Sequence, residues 1–146
     1  MRKAAAVVLT TAALALPTVD AWAAATAQKA PPKKKVVTVS RSFTGEAAQA
    51  DRWGDLQVTI VVKKTTTTIL KTKKKTVTRK LTGVRIPVYP DHTDRSVFIN
   101  EQALPILVQE SLRAQSSSID MVSGATDTSD AFQSSLQSAM LQAKSW

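Results

Sequence analysis

The chain has 146 residues, no cysteine, and 20 Lys+Arg against 11 Asp+Glu, a formal net charge of +9. That length accommodates one ordinary domain. The missing cysteines exclude a disulfide scaffold, a c-type haem attachment, a cysteine-held iron–sulfur cluster, a thiolate zinc site and a lipid-anchored cysteine. His92, the single histidine, offers no metal-binding spacing.

Residues 1–27 read as a secretory signal peptide. Arg2 and Lys3 supply a positive start, residues 4–16 form an unbroken apolar-to-neutral stretch, and Pro17 ends it. Small-residue cleavage patterns follow at Ala21-Trp22-Ala23 and Ala25-Thr26-Ala27, and cleavage after Ala27 is favoured over cleavage after Ala23. The stretch is too short for a bilayer span, which needs ~20 residues. The expectation is an exported, extracytoplasmic protein, in the periplasm, in the cell wall or secreted. Residues 28–40 read as a basic linker containing Pro31, Pro32 and Lys33, Lys34 and Lys35, and residues 41–146 as the folded domain.

From Val36 the composition turns β-branched, predicting one or two short strands over residues 36–45. Trp53-Gly54-Asp55 is a turn. Leu56, Val58, Ile60 and Val62 then alternate with Gln57, Thr59 and Val61, the pattern of a strand with one buried face. Residues 63–76 are rich in Thr and Lys and predict a long protruding hairpin with a charged tip. Lys63, Lys64, Lys71, Lys73, Lys74, Lys75, Arg79 and Lys80 fall in this region with no acid among them, a block that attracts polyanions. For an exported chain these are an anionic membrane or a cell-wall polymer, not nucleic acid. Val77, Leu81, Val84, Ile86 and Val88 resume the alternation, with a phase change at Gly83 assigned to a bulge and Pro87 assigned to an edge.

The helical half starts after the turn at residues 89–92. Ala103, Leu104, Leu107, Val108 and Leu112 repeat at helical spacing within residues 97–115, and Pro105 predicts that the regular helix starts shortly before it or breaks there. A short extended piece over residues 119–122 leads to a final helix over residues 129–144, with Phe132, Leu136, Ala139, Met140 and Ala143 on one face and Gln and Ser on the other. Asp127 or Thr128 is the expected cap, and Asp130 suits the positive end of the helix. Strands first and helices later predict an α+β fold: an antiparallel sheet with a long hairpin and two C-terminal helices on one face.

The turn before the last helix concentrates chemistry. A helix N-terminus presents unpaired N–H groups and positive partial charge, a seat for phosphate. Gly124 lets the main chain approach a ligand, and Ser123, Thr126, Thr128 and Ser129 add hydroxyls able to donate to phosphate or be esterified. Ser123 has no His/acid partners for nucleophilic catalysis, and no Gly-rich Walker or dinucleotide loop is present.

Asp120-Met121-Val122-Ser123-Gly124-Ala125-Thr126 resembles the Asp-x-x-Ser/Thr-Gly-Ala-Thr signature of the FMN-binding domain family, which includes the C subunit of the sodium-translocating NADH:quinone reductase and the G subunit of the Rnf complex. The resemblance spans roughly residues 43–144. It also rests on Arg52-Trp53-Gly54, Arg95-Ser96 before Phe98-Ile99-Asn100, Ala103-Leu104-Pro105 and Ser129-Asp130-Ala131-Phe132, and it is to the small exported members. The Lys/Thr hairpin, longer than the family's, departs from the pattern. The resemblance implies FMN joined by a phosphoester to Thr126, with Asp120, Ser123, Gly124 and Ala125 shaping a recognition turn. It also implies a separate flavin transferase that takes FAD with a divalent cation, and a role as electron carrier, not enzyme, between a redox donor and acceptor at the membrane. Trp53 and Tyr89 are candidates to stack on the flavin ring. Two other readings stay open: a module binding FMN non-covalently, such as a sensor, and a cofactor-free basic protein that binds wall or other polyanions.

Overall fold

The computed structural model describes residues 31–146, so the expected signal peptide, residues 1–27, lies outside the described residues. In chain order these residues form β1 (Lys34–Thr44), β2 (Ala48–Gln49), a single 3-10 turn (Asp51–Trp53), β3 (Asp55–Ile69), β4 (Lys74–Val88), α1 (Asp94–Ala114) and α2 (Thr126–Ser145). The strand predicted from the alternation at Leu56, Val58, Ile60 and Val62 is β3, the central strand. β1 and β2 pair successive stretches of it and β4 pairs along it, all antiparallel. This is an α+β fold with a four-stranded antiparallel sheet and a helix at the C-terminus among the described residues.

β1 begins inside the segment expected as a linker. Lys34 pairs with Ile69 and Lys35 with Thr68, so the backbone of this lysine run is held in the ladder while its side chains stay in water. Like charges oppose a packed core, not an exposed strand, and one continuous strand replaces the one or two short pieces predicted.

Leu56, Val58 and Ile60 are fully buried, as are Phe132, Leu136 and Ala139 of α2 and Leu107 of α1, all within one apolar cluster that also takes Leu81 from β4. Each large side chain removed from water contributes roughly 1.5–3 kcal/mol. The Ser side of α2, opposite its apolar face, is partly interior: Ser129 and Ser135 are buried. Ser135 Oγ accepts the Val58 N–H at 2.9 Å, and Ser138 Oγ accepts the Glu46 N–H at 3.2 Å, so the helix lies against the strands through hydroxyls as well as methyls. That approach requires Gly45. A Cβ there would stand 2.0 Å from the Ser135 carbonyl oxygen.

α1 runs through Pro105 without ending, a correction to the predicted start or break. Proline removes one N–H from the helix ladder. Pro105 and Glu101, whose carbonyl loses that donor, are both exposed, so water can serve the free oxygen. At its start, Thr93 Oγ1 accepts the Ser96 N–H at 3.1 Å. At its end Gln115 turns left-handed with φ 54°, and its side-chain amide donates to Leu81 O at 3.0 Å and accepts from Leu81 N at 2.8 Å. Gln115 thus pairs with β4 as a strand would. The phase change near Gly83 is a register shift: Val61 pairs with Gly83 and Val62 with Leu81, leaving Thr82 as the extra residue. A second shift leaves Ile86 and Pro87 unpaired near the end of β4, which borders the sheet as Pro87 requires.

Replacing Gly45 by Ala should force α2 off the sheet. The expected loss is about 3 kcal/mol, read as a lowered urea midpoint. A Ser135→Ala change, which removes only one hydroxyl, should cost about 1 kcal/mol.

Candidate functional site

α2 starts at Thr126, three residues before its predicted start, and neither Asp127 nor Thr128 caps it. The residue in the cap position is Ala125, and no side chain accepts from the first turn. A turn delivers the chain to this point. Ala125 N–H donates to Val122 O at 3.0 Å, with Gly124 at φ +83°, the value a type II turn requires at its third residue. A Cβ on Gly124 would meet nothing within 4 Å, so the demand for glycine is conformational, not steric.

Ser129 fixes the turn from the inside. Its Oγ donates to Ala125 O at 2.8 Å and accepts the Val122 N–H at 3.1 Å, while its own N–H donates to Ala125 O at 2.9 Å. The N–H groups of Thr126, Asp127 and Thr128 have no acceptor among the described residues. The turn is closed on its protein side and open on its solvent side.

These open amides border a cleft of about 170 Å³, whose walls include Trp53, Arg95, Asn100 and residues 124–128. Arg95 and Ser96 belong to the first turn of α1, so two helix N-termini converge here. Both carry partial positive charge. Arg95 adds a full charge and forms no ion pair among the described residues. Asp127 is the acid among the lining residues.

Asn100 ties the walls together. It is buried, its Nδ2 donates to Pro90 O at 2.7 Å, and its Oδ1 accepts from Thr128 Oγ1 at 2.9 Å. The loop after β4, helix α1 and the first turn of α2 therefore share one side chain. Thr128, singled out as a ligand hydroxyl, gives its proton to Asn100, and Ser129 is buried under the turn; both hydroxyls hold the site's shape.

Of the other candidates, Gly124, Ala125, Thr126 and Trp53 line the cleft, with Thr126 exposed. The Arg52 guanidinium sits 5.2 Å from the Trp53 ring centroid. Tyr89 lies instead in an adjoining apolar groove of about 360 Å³ with Ile86, Leu104 and Pro105, and Asn100 forms part of both walls. Ser123 is exposed in the turn, and Asp120 lies in a separate shallow groove beside Arg113 and Met121. Arg95, Ser96, Ile99 and Asn100 also line the cleft, beyond the residues expected from the sequence. A signal for Asn100 was available: it occupies the apolar stripe of α1, four residues before Leu104 and seven before Leu107, where a polar side chain needs a buried partner.

The family model for the FMN-binding domain matches residues 51–141. No curated protein matches the chain. The match covers more than half of the sequence, and the chain belongs to the FMN-binding domain family, a flavoprotein with FMN as its cofactor. The cleft suits that cofactor's phosphate end, since unpaired amides, a free guanidinium and a hydroxyl are the groups a phosphate accepts from.

Asn100→Ala should strip a partner from both Pro90 O and Thr128 Oγ1. A loss of about 1–3 kcal/mol in urea unfolding is expected, together with weaker FMN retention measured by flavin fluorescence.

Proposed function

We propose that the chain is an extracytoplasmic electron carrier holding one FMN in the cleft, joined through its phosphate to Thr126 Oγ1. The observation that carries this reading is the meeting of the exposed Thr126, three helix-end amides without acceptors among the described residues and the Arg95 guanidinium in one cleft. A phosphate there is held by charge-assisted hydrogen bonds and by the ends of two helices. When bound, FMN supplies the one- and two-electron chemistry of its ring.

The chain's own residues position and tune. The amides of residues 126–128 and Arg95 offset the phosphate charge, and Asn100 and Ser129 keep the turn from relaxing. The cleft is smaller than the roughly 300 Å³ of an ordinary ligand pocket, so it takes the phosphate and ribityl end and leaves the ring to Trp53 or to the apolar groove at Tyr89. Attachment exchanges one phosphorus–oxygen bond for another: the Thr126 hydroxyl loses its proton and displaces AMP from FAD in a flavin transferase. Asp120 and Ser123 are exposed outside the cleft, where that enzyme can read them without crowding the flavin. Export through residues 1–27 puts the protein between a membrane-bound electron donor and an extracytoplasmic acceptor.

Co-expression with a flavin transferase followed by acid precipitation tests the covalent bond. Flavin should pellet with the wild-type protein, and the intact mass should rise by one FMN less one water. Thr126→Ala should leave the pellet colourless. Flavin in the pellet of Thr126→Ala overturns the attachment site, and flavin released to the supernatant by the wild-type protein favours the non-covalent module. Arg95→Gln should weaken retention of non-covalent FMN in the Thr126→Ala background by about tenfold.

A further inference from the structure

We infer that the free end of the sheet is a docking tip for an anionic lipid bilayer. Two lysine runs far apart in sequence meet there. Lys34 and Lys74 flank Ile69 in one row of the sheet, and Lys35 and Lys75 flank Thr68 in the next. The Leu70 N–H donates to Lys33 O at 3.1 Å, which fastens the start of β1 beside the hairpin turn. With Lys71 and Lys73 in that turn, seven lysines collect at one end of the molecule. Successive rows point to opposite faces, so the charge surrounds the tip instead of coating one side.

No acid pairs with it among the described residues. Residues 56–90 and 31–45 contain no Asp or Glu. Further down the sheet Lys64 and Arg79 are engaged, both donating to the main-chain oxygen of Trp146, and they mark where the packed part of the sheet begins.

An apolar apex sits inside the ring of charge. Leu70 is 55% exposed at the turn beside Ile69, and Val36 and Val77 are exposed on the strands behind it. A soluble polyanion would be satisfied by the lysines alone and would leave Leu70 without a role. A bilayer surface supplies headgroup phosphates to the ammonium groups and hydrocarbon to Leu70, while the lysine stems bridge the two layers. The combination of apex and ring therefore favours a membrane over a charged polymer.

The test uses the chain without residues 1–27, since residues 32–146 form their own compact unit. Co-sedimentation would be measured with phosphatidylcholine vesicles, with and without phosphatidylglycerol. Binding should need the anionic lipid. Changing Lys71, Lys73, Lys74 and Lys75 together to Gln should weaken it about a hundredfold or more, and Leu70→Ser about tenfold. Because the protein has no native cysteine, Leu70→Cys can carry an environment-sensitive dye. Its emission should shift to the blue on anionic vesicles, and the same dye on Gln102→Cys should not respond. Equal binding to both vesicle types overturns the proposal. So does an unshifted dye at position 70 with full competition by soluble polyphosphate, which would identify a polymer as the occupant. The lysine and leucine variants lie outside the apolar core, and unchanged thermal unfolding would confirm that they fold. No flavin enters the measurement, so its outcome and that of the Thr126 experiment are independent.

Discussion

The structure turns on a helix end that is braced from beneath and bare on top. Ser129 holds the turn at residues 122–125, Asn100 takes the Thr128 hydroxyl, and Gly124 adopts the backbone angle that brings these together. Without the brace, the first turn of α2 would fray and its amides would wander. With it, three donors point the same way before any ligand arrives. Anion binding at such a site loses little to reorganisation, which is the physical content of preorganisation. The missing side-chain cap belongs to the same logic, because a capping hydroxyl would occupy the donors that the site needs.

β3 joins two regimes in one strand. Its first half alternates between core and surface, with Leu56, Val58, Ile60 and Val62 buried under α2, and its second half, a run of threonines ending at Ile69, is half-buried and has no helix over it among the described residues. Hydrogen bonds to β1 and β4 continue past the end of the core, so the ladder alone carries the sheet outward. Threonine suits an uncovered ladder, because its branched side chain favours extended backbone and tolerates water. Gln115 and the contacts of Lys64 and Arg79 with Trp146 secure the boundary between the packed and the free part.

Much of this was legible in the residues. The period-two pattern of residues 56–62, the Lys/Thr hairpin, the register fault near Gly83 and the apolar face with Phe132, Leu136 and Ala139 are local signals, and each reappears as an element. The structure departs from local preference where the surroundings, a neighbouring strand, a buried partner or water, override it. Lys34 and Lys35 join a strand because β3 offers them a ladder; Pro105 remains in a helix because its defect faces water; α2 starts at Thr126 because the buried Ser129 reaches back to fix the turn. The cleft was half legible. The signature around Thr126 was plain, but Arg95 and Asn100 come from another helix, and their convergence depends on how α1 lies beside α2.

The length of β3 has a further consequence. Trp53, at the cleft, precedes its first residue and Leu70, at the apex, follows its last. Fifteen extended residues separate the two by about 45 Å. A molecule standing upright on that apex would hold its flavin well above the lipid, out of reach of quinones dissolved in the hydrocarbon. For the electron carrier proposed above, the exchange partner would then be a redox group on a domain that rises to the same height, and shortening the strands would lower the lamp without altering its socket.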